Sequence, residues 1–235
     1  DFIMTLIMGM HLSDYVIIAS DKKEVAVLNG IVIPLHEDSN KIINTDMGLV
    51  TGSGFVDLLN RVKNRIALNQ ICHTDEILTI IKAEREAIAQ KLRYTDEAER
   101  KILFHTGWLF SYRTIIGDEI RIRLAIYHPS IDEQHYATVN ENDIIAVFPL
   151  DIAPEQTKYL NERLRSSMLS LDKEPDINRN MSHNISQLLT LVAAVSEISE
   201  TVSKTCDIGI VFKGGTVLMA NNVSIDSGSC PMTKI

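Results

Sequence analysis

The apolar residues of this chain change period in blocks, and that block order excludes most architectures. Through residue 54 the apolar runs are short, rich in Ile and Val, and bounded by polar or glycine turns. They cover 4–10, 14–20 (DYVIIAS), the paired runs of VAVLNGIVIPLHEDSNKII, and MGLVTGSG. Asn29-Gly30 between two such runs is a strong hairpin signal. From Phe55 the spacing becomes helical, with Leu58, Leu59, Val62 and Ile66 on one face. Thr74-Asp75-Glu76 supplies N-cap chemistry for a second helix through ILTIIKAEREAIAQKLRYT. Strands return at WLFSYRTII and EIRIRLAIYHP around Gly117-Asp118. In the latter Ile120, Ile122, Leu124 and Ile126 alternate with Arg121, Arg123 and Ala125, the pattern of a strand with one wet face. HYATVNENDIIAVFP predicts two more short strands around a polar turn. Helices are expected over 155–171 and 185–203, with the polar DINRNMSHN between them as a connector. A hairpin around Gly214-Gly215 and a tail over 224–235 close the chain.

Strands and helices grouped in blocks predict an antiparallel α+β fold rather than a parallel doubly wound sheet. Two helix pairs separated by sheet can cover both faces of a two-sheet sandwich. With 235 residues and no internal repeat, one domain over 1–235 is expected, residues 1–4 being a leader or tag. Three scattered cysteines, Cys72, Cys206 and Cys230, form no disulfide framework or zinc motif and suit a reducing cytoplasm. A net charge of −8 disfavours nucleic acid and anionic membrane as partners. The longest apolar run, LLTLVAAV, is far short of the roughly 20 residues that span a bilayer. The histidines lack ligand spacing, so neither a metal nor a cofactor is expected.

The residues of the first quarter carry more. Thr5 heads an apolar run with a glycine four positions on, Leu6-Ile7-Met8-Gly9. An aspartate ends the second strand in Ala19-Ser20-Asp21-Lys22-Lys23. A lysine stands in Ser39-Asn40-Lys41-Ile42, and Gly52-Ser53-Gly54-Phe55-Val56-Asp57 opens the first helix. In order and approximate spacing this set resembles the N-terminal nucleophile hydrolases, in particular the branch of proteasome β-subunits and HslV-type peptidases. The resemblance implies a four-layer α-β-β-α sandwich with two antiparallel sheets between helix pairs. It implies Thr5 as nucleophile, Asp21 and Lys41 as its partners, and the Ser53-Gly54 turn as an oxyanion hole. Glu200 and Ser203 would be supporting residues near the end of the last helix, a loose echo of the family's late Asp-x-x-Ser pair.

The chemistry of those positions is coherent. A threonine hydroxyl is a weak nucleophile and needs an adjacent base. A free α-amino group, with a pKa of about 7.7–8.0, supplies one only if the residues before Thr5 are removed. Lys41 beside that amine would favour its neutral form, and Asp21 would hold the lysine charged. The expected activity is hydrolysis of a peptide or other amide by a cytoplasmic homo-oligomer, ring or helical, with an ATPase or other regulator left open. Two departures from the family pattern keep rivals in play: the lysine falls a few residues late, and AVFPLDIAPEQ lacks the family's serine-glycine segment. The rivals are a non-catalytic structural subunit and a small-molecule amidase.

Overall fold

A computed structural model describes residues 5–28, 31–36, 38–91, 97, 103–228 and 230–235. The expected leader (1–4), the Asn29-Gly30 turn and residues 92–95 of the second expected helix lie outside the described residues. The first quarter is sheet: β1 (Ile7–His11), β2 (Tyr15–Asp21), β3 (Glu24–Leu28), β4 (Ile31–His36), β5 (Ile43–Asn44) and β6 (Leu49–Ser53). Helices α1 (Val56–Leu68) and α2 (Thr74–Lys91) follow, then β7 (Gly107–Ile116), β8 (Glu119–Tyr127), β9 (Ala137–Val139) and β10 (Asp143–Val147). After them come α3 (Pro154–Ser167), α4 (Ile177–Ser196), β11 (Cys206–Phe212), β12 (Val217–Val223), a short 3-10 turn and β13 (Thr233–Lys234).

The strands form a six-stranded sheet in the order β10-β1-β2-β11-β12-β13, a five-stranded sheet β5-β6-β7-β8-β9, and a separate hairpin of β3 and β4. All of these pairings are antiparallel. Both faces of β1 and β2 are buried, which is why these strands read as continuous apolar runs. One face, with Met8, Met10, Ile17 and Ala19, packs with Leu188, Val192 and Val195 of α4. From the other, Val16 and Ile18 meet Leu49, Ile122 and Leu124 of the five-stranded sheet. Trp108, Phe110, Ala125 and Tyr127 meet the apolar stripes of α1 and α2, including Leu58, Val62, Ile77 and Ile81. Each fully buried side chain of this kind contributes roughly 1.5–3 kcal/mol. His11, 1% exposed, ties the sheets together: its ring nitrogens lie 2.8 Å from the Val139 carbonyl and 3.0 Å from that of Ile122.

The two short strands expected around a polar turn, β9 and β10, lie in different sheets: β9 pairs with β8 and β10 with β1, so the chain changes sheets between them. Asn142, at φ 58°, takes the left-handed conformation that this corner requires. The single wet face expected for β8 is not seen: Glu119, Ile120 and Arg121 are all exposed, and from Ile122 to Tyr127 the strand lies between α1–α2 and the other sheet. The helix expected over 185–203 starts at Ile177 instead, where the Asp176 carboxylate accepts the Asn178 and Arg179 N–H groups. Its two early turns carry buried Asn180 and Asn184, whose amides donate to the Leu169 carbonyl at 3.0 and 2.9 Å. Asn184 also accepts the Leu169 N–H at 2.9 Å, holding that backbone outside α3, which stops at Ser167 rather than at 171. Finally, the 224–235 tail returns to the sheet, with β13 as an edge strand on β12.

Candidate active site

Thr5 sits one residue before Leu6, at the point where β1 enters the six-stranded sheet beside the end of β2. The Leu6 carbonyl accepts the Asp21 N–H at 3.1 Å, and the Leu6 N–H donates back to Asp21 Oδ1 at 2.9 Å. These bonds fix Thr5 against the carboxylate at the end of β2. Ser53, at the end of β6 in the other sheet, closes the corner. Its hydroxyl donates to the Thr5 carbonyl at 2.5 Å and accepts the Thr5 N–H at 3.1 Å. Thr5 is 1% exposed.

Lys41 reaches this corner from the segment between β4 and β5. Its backbone is anchored by the Thr51 hydroxyl, which donates to the Lys41 carbonyl at 3.0 Å. The ammonium donates to two acceptors, Thr5 Oγ1 at 2.8 Å and the Lys23 carbonyl at 2.5 Å, and pairs with Asp21 Oδ1 at 3.6 Å. Asp21, fully buried, receives the N–H groups of Leu6, Lys23 at 2.9 Å and Ser203 at 3.3 Å. Burial pushes the Lys41 ammonium below the ordinary lysine range, opposed chiefly by the charge of Asp21. Burial likewise raises the Asp21 carboxyl, opposed by Lys41 and by the backbone donors.

The structure therefore brings together Thr5, Asp21, Lys41 and Ser53, with Ser203 behind Asp21. Gly54 follows Ser53 at φ 134°, and a Cβ there would lie 2.4–2.7 Å from Thr106. Only glycine suits this turn. Thr106 Oγ1 accepts the Phe55 N–H at 2.8 Å, fixing the entry to α1. Glu200 does not join the set. It is exposed, and among the described residues no hydrogen bond links it to Thr5, Asp21 or Lys41. The chain after α4 turns Ser199 and Thr201 inward instead, onto the Asp151 carboxylate at 2.8–3.4 Å. Ser203 contributes through its backbone, while its hydroxyl accepts the Lys22 N–H at 3.0 Å.

Sequence reasoning missed a second buried ion pair beneath the first. Lys22 Nζ lies 3.1 and 3.2 Å from the two carboxylate oxygens of Asp207 on β11, and both side chains are almost fully enclosed. The Asn222 N–H completes it at 3.0 Å. The only available signal was an acid opening the otherwise apolar run DIGIVF.

No family model and no curated protein matches the sequence. Solved structures do match in fold. An Anbu (Gly-1) mutant from Hyphomicrobium sp. strain MC1 is 12% identical, with 95% of this chain and 89% of that one covered at a TM-score of 0.62. Anbu, titled an ancestral beta-subunit, from Yersinia bercovieri is 13% identical over 98% of this chain and 86% of its own, at a TM-score of 0.60. The helical assembly of the Anbu complex from Pseudomonas aeruginosa is 10% identical over 98% and 86%, at a TM-score of 0.62. At these identities the likeness is one of fold: this chain is α+β with antiparallel sheets, arranged as in those structures. Among the described residues no helix is long and apolar enough to cross a membrane.

Proposed function

We propose that this chain is a threonine-type amide hydrolase, a proteasome-related peptidase that uses Thr5 as nucleophile once the preceding residues are removed. The observation that carries it is the 2.8 Å contact of Lys41 Nζ with Thr5 Oγ1, backed by buried Asp21. The α-amine freed at Thr5 takes the hydroxyl proton as the oxygen attacks the amide carbonyl. Lys41, held by Asp21, keeps that amine neutral and stabilises the developing alkoxide. The Gly54 N–H, at the mouth of α1, is the proposed oxyanion donor. The amine then returns its proton to the leaving nitrogen, and a water molecule hydrolyses the acyl-enzyme. In this reading the subunit works in the cytoplasm as a four-layer α-β-β-α sandwich within a homo-oligomer, a ring or a helix. The helical assembly recorded for a neighbour of the same fold supports the oligomer.

One observation favours a non-catalytic structural subunit: Thr5 is preceded by Met4, and its N–H already serves as a donor to Ser53. Peptide-amide hydrolysis by protein whose chain starts at Thr5, compared with its Thr5→Ala variant, separates the readings. Turnover lost in the variant supports the nucleophile. Equal rates in the two proteins overturn the nucleophile, and hydrolysis by neither supports the structural subunit.

A further inference from the structure

The space beside Thr5 is small, and this bears on which amides fit. It is lined by Thr5, Lys41, Gly52 and Trp108, and by Val56 and Leu59 of α1. The cavity holds about 10 Å³, the room of a single water molecule, and therefore of a single methyl group. A Cβ on Gly52 would lie 2.6 Å from Leu59 Cδ2 and 2.8 Å from Trp108 Cε3, so these two side chains already occupy the space above the glycine. Trp108, 1% exposed, and Leu59, 8% exposed, are held in the core between α1 and the five-stranded sheet. They do not swing away as surface side chains do. Glu24 and Lys63 both line the cavity. Their opposite charges select neither an acidic nor a basic side chain, which leaves size as the discriminator.

From this geometry we infer that the site takes peptides with an alanine-sized residue on the acyl side of the cleaved bond, and that Val56, Leu59 and Trp108 exclude larger ones. The inference rests on the proposed role of Thr5 and goes beyond it by naming the substrate class. A β-branched or longer side chain would have to displace α1 or the indole. One surplus methylene in an apolar pocket already discriminates about 10- to 200-fold.

The test uses protein starting at Thr5 and fluorogenic peptide amides that differ only in the residue before the scissile bond: Ala, Val, Leu and Phe. The expected result is kcat/KM for Ala at least ~10-fold above Val and higher still above Leu and Phe. The variants Val56→Ala and Leu59→Ala are expected to raise the Leu or Phe rate relative to Ala. Val56→Ala is the milder change at the start of the helix and keeps the test informative if Leu59→Ala fails to fold. Leu or Phe cleaved as well as Ala by the unmodified pocket overturns the size inference while leaving the nucleophile in place. A ranking unmoved in a folded Val56→Ala protein overturns the assignment of that wall. Cleavage of none of the four overturns the role of Thr5, and the size inference with it.

Discussion

Replacing Lys41 with Met tests the electrostatics of the corner through stability, with no need for activity. The side chains have similar length, so the change removes a charge and little volume. It leaves Asp21 fully buried, with its three backbone N–H donors and no counter-charge. Breaking a buried pair in this way costs about 3–5 kcal/mol. Relief of burying the lysine offsets part of that, because burial is what lowers the Lys41 pKa. A net loss of about 2–3 kcal/mol at pH 7 is expected, or roughly 4–12 °C in Tm for a chain of this size. The pH dependence has a definite sign. Without Lys41, burial raises the Asp21 carboxyl further above its unfolded value, so the folded variant prefers the protonated acid. Its deficit is therefore smallest below the unfolded carboxylate pKa of about 3.9 and grows as pH rises through the folded value. Urea denaturation of both proteins at pH 5 and pH 7 measures this, with a limiting slope of about 1.4 kcal/mol per pH unit for one proton. A Lys41→Met protein as stable as its parent, or one whose deficit does not shrink on acidification, would refute the reasoning.

The second ion pair allows a related comparison: Lys22→Met alone should cost about 3–5 kcal/mol in urea, whereas Lys22→Met with Asp207→Leu should recover much of the loss. Asn184→Leu removes its two bonds to the Leu169 backbone, leaving that of Asn180, and is expected to lower stability by about 2–4 kcal/mol, again read from urea midpoints. Burial pushes the Tyr15 phenol up to about 12, so absorbance titration should leave this ring neutral at pH 11 until the protein unfolds. A thiol reagent should label exposed Cys72 first and leave Cys206, whose thiol burial raises strongly, untouched in the native protein; labelling of native Cys206 would contradict the packing described.

The first quarter of the chain is the most legible because its candidate site residues stand at or close to strand ends. There a polar side chain interrupts an apolar run and shows in the sequence. Thr5, Asp21, Lys41 and Ser53 are all of that kind, and they meet in one corner. Helix α1 was equally plain, since its buried face is carried by Leu58, Leu59, Val62 and Ile66 alone. What escaped was polar and buried. Asn180 and Asn184 have the composition of a loop, yet they lie inside α4 because Tyr15 and the Leu169 backbone satisfy their amides. Lys22, Asp207 and His11 escaped for the same reason: partners far along the chain take the place of water. Glu200 echoes the family's Asp-x-x-Ser pair in sequence, but the chain after α4 points Ser199 and Thr201 inward in its stead. The split of β9 and β10 between sheets depends on long-range pairing, which a local pattern of alternation does not encode.

The most direct test of the central claim is to locate the acyl group after a single turnover. Protein starting at Thr5 is mixed with an activated alanyl-peptide ester, quenched in acid, and mapped by tandem mass spectrometry. The account predicts one acyl group on the Thr5 side-chain oxygen, and none in Thr5→Ala. An unacylated protein, or an acyl group that persists elsewhere in Thr5→Ala, would contradict it.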